Sequence, residues 1–200
     1  MMLMLVTRAD SRLGEIVSAA VEGGVNVVQI RSGDAEAVCA AAVGARVVVN
    51  SCHPERERGA WAGGRRDDRA THAPRPLAHA RGDIGLHLPE NAPFEPAPFV
   101  GRSVHSVDAA LRAEAEGCEY LVAGSVFPTA SHPSGPTGGL QLLRDVSAAV
   151  RIPVIAIGGI TAANARSCID AGARGVAVIS AIFDADDPKR AAQELWRAIA

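Results

Sequence analysis

Two motifs near the end of the chain contain residue types that could bind a phosphate group. Gly158 and Gly159 follow one short apolar run, and Ser180 follows Ile179 at the end of the next. Glycines let the backbone approach phosphate oxygens closely, and free amides at the start of a helix bind the anion. The alternative is that the two glycines only form a tight turn. We predict that these four residues form a phosphate site.

A second motif, Gln29 and Arg31, lies at the end of an earlier apolar run. Residues two apart on a strand point to the same side, so both side chains can face one pocket. The arginine could hold a phosphate or a pyrophosphate with its forked guanidinium. The alternative is a structural salt bridge between Arg31 and an acidic residue. We predict that both residues bind substrate.

Histidine and hydroxyl side chains supply candidates for acid–base chemistry and for further substrate contacts. His105 and His132 could exchange a proton near neutral pH, although a lone histidine is more often structural. The segment 129–139 is rich in Gly, Pro and Ser, and it could cover a ligand or be only a surface loop. The remaining substrate-binding candidates are Asn50, Ser103, Thr129, Ser131 and His132.

The secondary-structure elements next to these residues must position them. Eight short apolar runs in the sequence could form such elements. Each run is apolar on both faces, which is typical of a buried parallel strand. Helical patterns lie between most of the runs, so crossovers join the strands. The predicted strands are residues 3–6, 25–30, 47–49, 84–88, 99–101, 120–123, 154–157 and 176–179.

Eight strand–helix units in 200 residues predict an α/β fold, the compact (β/α)8 TIM barrel. A doubly wound open sheet is the alternative, but no dinucleotide-binding fingerprint follows the first strand. The active site of such a barrel lies at the carboxyl ends of its strands, where the candidate residues fall. The predicted helices are residues 12–22, 107–116, 162–171 and 188–199, with Ser106, Thr161 and Asp187 as N-caps.

Two stretches interrupt this alternation. Residues 51–83 are rich in Arg, Gly, Pro and His, so we predict a long exposed loop and a degraded third helix. The proline-rich stretch 89–98 replaces or shortens the fourth helix. The cysteine and histidines of the first stretch match no standard zinc spacing, so no metal site is predicted. We predict one domain over residues 1–200.

Composition excludes several classes of partner and mechanism. The net charge is −2, so neither nucleic acid nor a membrane is expected as a partner. No apolar run approaches the roughly 20 residues that span a bilayer, and the first residues do not resemble a signal peptide. Four widely spaced cysteines predict reduced thiols and a cytoplasmic location. The only lysine is Lys189, which excludes a lysine-based mechanism elsewhere.

Several motifs together resemble the thiamin phosphate synthase/TenI family of small (β/α)8 barrels. The resemblance covers nearly the whole chain except residues 51–83 and is most specific from Gly101 onward. It implies that a phosphorylated thiazole binds at the predicted phosphate site, and that the protein is a homo-oligomer. The motifs that carry it are residues 5–7, 28–31, 48–50, 85–88, 103–106, 124–129, 153–160 and 175–180.

The family implies two activities, and this chain departs from the motifs of one of them. The synthase joins a pyrimidine pyrophosphate to thiazole phosphate, with Mg²⁺ on the departing pyrophosphate. Its motifs contain two lysines and two metal-binding carboxylates, and this chain has Gly33, Ser51, Ala92 and His132 at those four positions. One such group typically contributes about 10²–10³ in rate, so little synthase activity is expected unless Glu90 or the inserted loop substitutes.

The TenI-type enzyme, which shifts a proton in a carboxythiazole phosphate, fits the missing carboxylates better. Its catalytic histidine corresponds to Ser125, which cannot act as a base unaided. We therefore predict a thiazole tautomerase-type enzyme of thiamin biosynthesis that needs no cofactor, with His105 and Ser125 as catalytic residues. The alternatives are a divergent thiamin phosphate synthase that needs Mg²⁺, and a protein that binds thiazole phosphate without catalysis.

Overall fold

The computed structural model describes residues 1–51, 84–129 and 137–200, which form a closed barrel of eight parallel strands. Each strand pairs with the next along the chain, and the last pairs with the first. The predicted (β/α)8 barrel is therefore confirmed. The strands are β1 (Met2–Val6), β2 (Val27–Ile30), β3 (Arg46–Asn50), β4 (Gly85–Leu88), β5 (Val100–Val104), β6 (Tyr120–Ala123), β7 (Val154–Ile157) and β8 (Gly175–Val178).

Seven helices lie in the described part of the chain. Their apolar faces and the outward side chains of the strands form one large buried cluster. The helices are α1 (Leu13–Glu22), α2 (Ala35–Ala41), α3 (Val107–Ala115), α4 (Gly139–Ala149), α5 (Ala165–Asp170), α6 (Ser180–Phe183) and α7 (Pro188–Ile199).

Two of the predicted N-caps are confirmed. The Ser106 Oγ accepts a hydrogen bond from the Ala109 amide at 3.2 Å at the start of α3. The Asp187 Oδ1 accepts one from the Arg190 amide at 3.0 Å at the start of α7. Each bond satisfies a backbone N–H that has no partner inside the helix, so each fixes the start of its helix.

Other local predictions are wrong. α5 begins at Ala165, three residues later than predicted, and Thr161 does not cap it, because the Asn164 side chain accepts a hydrogen bond from the Thr161 amide at 2.8 Å. The helical pattern of residues 107–116 also places Leu111 on one face with Val107 and Ala110, but Leu111 is 44% exposed because α3 packs through its alanines. β5 extends three residues beyond the predicted strand, so Ser103 lies within the strand. Helices α2 and α4 were not predicted.

The connection between β4 and β5 contains no helix, as predicted, and a buried arginine holds it in place. Arg102, on β5, is 3% exposed. Its Nη1 lies 2.9, 3.0 and 2.6 Å from the carbonyl oxygens of Pro89, Glu90 and Ala92, which share its two N–H donors. Its Nη2 lies 2.9 Å from the Glu116 carboxylate. These bonds satisfy carbonyl groups that a helix would otherwise satisfy internally.

The predicted exposed loop at 51–83 lies, apart from Ser51, outside the described residues. The organisation of residues 1–200 as one domain therefore stays a prediction. Within the described residues, none of the helices has the length and apolar character that crossing a membrane requires.

A second apolar cluster fills the inside of the barrel. Its members are alternate residues along the strands, and alternation places them on the face toward the barrel axis. The next inward positions toward the carboxyl ends carry polar side chains on β2 and β3, Gln29 and Asn50, but apolar ones on β7 and β8, Ile157 and Ile179. The barrel is therefore apolar inside, and its mouth is polar on the side of β2 and β3. The cluster contains Met4, Val6, Val27, Val48, Tyr120, Val122, Ile155 and Ala177.

Candidate active site

Gly158 and Gly159 directly follow β7 and have positive φ angles of 104° and 61°. A side chain on Gly158 would collide with Ser125, and one on Gly159 would collide with Phe127 and Pro128. Positive φ and close approach of another segment both require glycine. The two glycines therefore let the segment after β6 pack against the end of β7.

Backbone hydrogen bonds fix this contact. The Val126 amide donates to the Ile157 carbonyl at 2.9 Å, and the Phe127 amide donates to the Gly158 carbonyl at 3.1 Å. The amides of Gly158 and Gly159 donate to no acceptor within the described residues. Within the described residues, two N–H groups at the end of β7 are thus without an acceptor.

Ser180 begins α6 at the end of the neighbouring strand β8. The amides of Ile182 and Phe183 donate to the Ile179 carbonyl at 3.1 and 3.0 Å, whereas the Ser180 amide meets no acceptor in the described ranges. Free amides from two adjacent strand ends lie at one edge of the barrel, an arrangement that can bind phosphate oxygens. The predicted phosphate site stays a prediction, and this geometry supports it.

The catalytic candidate Ser125 is half-buried after β6. Its carbonyl accepts a hydrogen bond from the Gly138 amide at 2.9 Å, so residues 125 and 138 lie side by side at the rim. Thr129 is also half-buried. Ser131 and His132 lie outside the described residues, and their predicted substrate contacts stay predictions.

At the end of β2, Gln29 is 3% exposed and Arg31 is exposed. Thr7 fixes the backbone here: its Oγ1 accepts a hydrogen bond from the Arg31 amide at 3.2 Å and donates one to the Ser32 carbonyl at 2.6 Å. No salt bridge joins the Arg31 side chain to any residue that the structure describes. Among these residues the predicted structural salt bridge has no acidic partner, so the alternative interpretation of Arg31 gains no support.

At Gly33 and Ser51, two of the positions that depart from the synthase motifs, the structure shows specific backbone constraints. Gly33 has a φ of 107°, and a side chain on it would collide with Leu13. Asn50 ends β3 half-buried, and the amide of the following Ser51 donates to the His87 carbonyl at 2.9 Å. The end of β3 is thus held to the end of β4 by main-chain bonding.

A buried polar network joins three strands inside the barrel. His87 is 2% exposed, and its Nδ1 lies 3.1 Å from the Tyr120 hydroxyl while its Nε2 lies 2.9 Å from the Ser103 Oγ. Burial, and then the charge of Arg102, lower the pKa of His87 to about 3, so the ring is neutral. The site prediction did not include His87 or Tyr120, and the available signal was a histidine in an otherwise apolar run.

His105 and Glu90 form a pair at the mouth of the barrel. The Glu90 Oε1 accepts a hydrogen bond from the His105 amide at 3.0 Å, and its Oε2 lies 3.1 Å from the His105 Nδ1. Because a carboxylate accepts, Nδ1 carries the proton, and Nε2 of the exposed ring can accept one. Neither His105 nor Ser125 forms a hydrogen bond with the other in the described structure, so the predicted catalytic pair is not assembled by direct bonding.

The described residues do not fit a protein-held Mg²⁺, which the resemblance implies for the synthase. Mg²⁺ is bound through carboxylate oxygens, but residues 1–51, 84–129 and 137–200 contain no group of three His, Cys, Asp or Glu that could hold a metal. Ser51 and Ala92 occupy the two carboxylate positions. The nearby Glu90 carboxylate is bonded to His105 through both oxygens.

Comparison with known proteins identifies a consistent set of relatives. The family model described as thiamine monophosphate synthase matches residues 86–182. The thiamine-phosphate synthase of Natronomonas pharaonis is 38% identical over 210 aligned residues, which cover 98% of this chain and 93% of that protein. The thiamine-phosphate synthase of Pyrococcus furiosus is 43% identical over 122 residues, 58% of this chain and 59% of the relative.

A solved structure has the same architecture. It is described as a thiamine phosphate pyrophosphorylase from Pyrococcus furiosus, with a TM-score of 0.73 and 31% sequence identity. The superposition covers 99% of this chain and 95% of the other. A 3-hexulose-6-phosphate synthase superposes with a TM-score of 0.69 at 18% identity, which shows the fold alone.

Proposed function

This chain belongs to the thiamin phosphate synthase/TenI family, and we propose that it is a transferase that joins a pyrimidine pyrophosphate to a thiazole phosphate and releases pyrophosphate. The proposal is supported by 38% identity with the Natronomonas pharaonis synthase across 98% of this chain. The chain spans less than two thirds of the length of two other thiamine-phosphate synthases that it matches, 59% of the Pyrococcus furiosus protein and 63% of the Thiobacillus denitrificans protein. Similarity to these relatives alone therefore does not assign the substrates, and the assignment needs support from the geometry of the site.

The predicted tautomerase activity is wrong. The relatives are named thiamine-phosphate synthase, and the similar solved structure is described as a thiamine phosphate pyrophosphorylase. These findings favour the alternative stated with that prediction, the synthase. The substitutions at the four synthase-motif positions indicate a divergent member.

The observation that carries the proposal is the cluster of free amides at the ends of β7 and β8. Gly158, Gly159 and Ser180 present backbone N–H groups at one edge of the mouth. Amides bind phosphate oxygens without a charged side chain, so the thiazole phosphate would be held here by the backbone. Its ring would then extend toward the centre of the mouth.

The second substrate would lie against the ends of β2 and β3. Departure of pyrophosphate builds negative charge, which fixed cationic and hydrogen-bonding groups stabilise. Arg31 offers an exposed guanidinium there, and the buried Gln29 and half-buried Asn50 offer amide groups. We propose that Arg31 contacts the pyrophosphate. The homo-oligomeric state and the cytoplasmic location stay predictions.

The test is an assay for thiamin phosphate. The purified chain is incubated with thiazole phosphate, pyrimidine pyrophosphate and Mg²⁺, and the product is followed as its fluorescent oxidation product beside an active synthase. We expect product, with a rate that falls on Arg31→Gln. Tight binding of thiazole phosphate without product would contradict the proposal and indicate a binding protein.

A further inference from the structure

The network of His87 contains a phenol that has no place in the proposed chemistry. Tyr120 is fully buried inside the barrel, two strands away from His87. Its hydroxyl lies 3.1 Å from the His87 Nδ1, and the opposite ring nitrogen lies 2.9 Å from the Ser103 Oγ. The three side chains thus run from the apolar interior toward the mouth, where Ser103 is half-buried.

The Tyr120 ring is packed between neighbouring groups. Phe99 stacks on it with ring centres 4.9 Å apart, and the Arg46 guanidinium lies 4.2 Å from the centre of the Phe99 ring. On another side, any Cβ on Gly101 would collide with the Tyr120 ring. Packing therefore aims the hydroxyl at His87 rather than leaving it free to turn.

The direction of each hydrogen bond follows from the donors available. Burial raises the pKa of Tyr120, so the phenol keeps its proton. A buried O–H needs an acceptor, and the one it reaches among the described residues is the Nδ1 of His87. A neutral imidazole carries one proton, which must then be on Nε2. That Nε2–H donates to the Ser103 Oγ.

The opposite arrangement leaves a donor unsatisfied. If Nδ1 carried the proton, it would donate to the Tyr120 oxygen, and the phenol proton would have no acceptor in the interior. The Ser103 hydroxyl would then donate its hydrogen bond to the His87 Nε2. The histidine tautomer thus decides whether the serine can donate a hydrogen bond into the site.

We propose that Tyr120 is a positioning residue: it holds His87 as the Nε2–H tautomer, which makes Ser103 a hydrogen-bond donor to an acceptor atom of the bound substrate. The inference rests on the proposed function only for the identity of that substrate. Tyr120 acts entirely through His87 and Ser103, and it does not itself reach the mouth.

The first test is independent of turnover. In the substrate-free protein, long-range ¹H–¹⁵N correlation spectra of the imidazoles identify which His87 nitrogen carries the proton, with His87→Gln assigning the signal. We expect Nε2–H in the unmodified chain and a mixture of tautomers in Tyr120→Phe, since phenylalanine keeps the ring and removes only the hydroxyl that selects one tautomer. A wild-type Nδ1–H signal, or an unchanged tautomer in Tyr120→Phe, would overturn the proposal.

The second test is a double-mutant cycle. Tyr120→Phe should lower kcat/KM roughly tenfold, about the size of one lost hydrogen bond, and should lower it no further in a Ser103→Ala background. Additive losses would contradict the mechanism. Val122→Ala is the packing control: it removes apolar volume from the same interior and should leave the His87 tautomer unchanged.

A failure of the proposed synthase activity can be distinguished from a failure of the inference about Tyr120. If the chain forms no thiamin phosphate, the same cycle can be run on the dissociation constants of pyrimidine pyrophosphate and thiazole phosphate, with the same expected non-additivity for one of them. Additive losses in both would overturn the proposal. The tautomer measurement stands whatever the reaction is.

Discussion

Two parts of the barrel mouth are built in different ways. At the ends of β7 and β8, the binding groups are main-chain amides, and we refer to Gly158, Gly159 and Ser180 as the backbone cradle. At the ends of β2 to β5, the polar groups belong to side chains. This side-chain rim comprises Gln29, Arg31, Asn50, Glu90 and His105.

The difference explains where the family resemblance is strong. An amide is present whatever the side chain, so the backbone cradle needs only the glycines that allow its conformation. A rim of side chains loses a function with each substitution, and three of the four departures, at Gly33, Ser51 and Ala92, fall at the ends of β2 to β4. The family model matches residues 86–182, which include the cradle together with Glu90 and His105 of the rim and leave out β2 and β3.

At constant pH, the largest expected effect on stability concerns the support of the side-chain rim. Arg102→Met would leave three carbonyls of the β4–β5 connection without their donor, and we expect a loss of about 3 kcal/mol in the free energy of unfolding. Chemical denaturation measures it. The exposed Arg112→Met is the matched control and should change stability by less than about 0.5 kcal/mol. Equal effects of the two would show that the connection does not depend on Arg102.

The side-chain rim should also be sensitive to acid through His87, which lies beneath it. The unfolded chain gains a proton near pH 6.5, whereas the folded protein resists protonation down to about pH 3. The unfolded state therefore binds more protons in this window, and stability falls as the pH drops below 6.5, by up to about 1.4 kcal/mol per pH unit. His87→Gln should have a shallower slope between those pH values. Equal slopes would mean that His87 is protonated in the folded protein.

A smaller effect is expected at the backbone cradle. Gly158→Ala imposes a cost of about 1–2 kcal/mol for positive φ and pushes against Ser125. We expect the affinity for thiazole phosphate to fall about tenfold, measured by calorimetry. Gly44→Ala has a similar strain, at a φ of 92°, but nothing within 4 Å of the added carbon. It should lose stability and keep its affinity, and loss of affinity in both variants would contradict the cradle.

The contrast between the two parts also shows what the sequence could predict. Short apolar runs predicted all eight strands, and the glycine pair was visible because it directly follows one of them. The hydrogen bonds between Glu90 and His105 were not predictable from the sequence. They depend on the position in which Arg102 holds the β4–β5 connection, an irregular segment without a periodic pattern of apolar residues. The link from Tyr120 to His87 joins residues 33 apart, and only the register of β4, β5 and β6 brings them together.

The smallest effect comes from restoring a family residue to the side-chain rim. Gly33→Lys places a lysine where the synthase motif has one, and a simple reading of the motif predicts a faster reaction. The backbone argues against it, because Gly33 has a φ of 107° and a side chain there meets Leu13.

We expect Gly33→Lys to lose about 1–2 kcal/mol of stability and to gain no synthase activity, since the new side chain starts from a strained position. Gly44→Lys is the control, with a comparable φ of 92° and open space around it. A clear gain in thiamin phosphate formation by Gly33→Lys alone would show that the rim can be rebuilt by side chains. The difference between the cradle and the rim would then be one of substituted residues rather than of backbone shape.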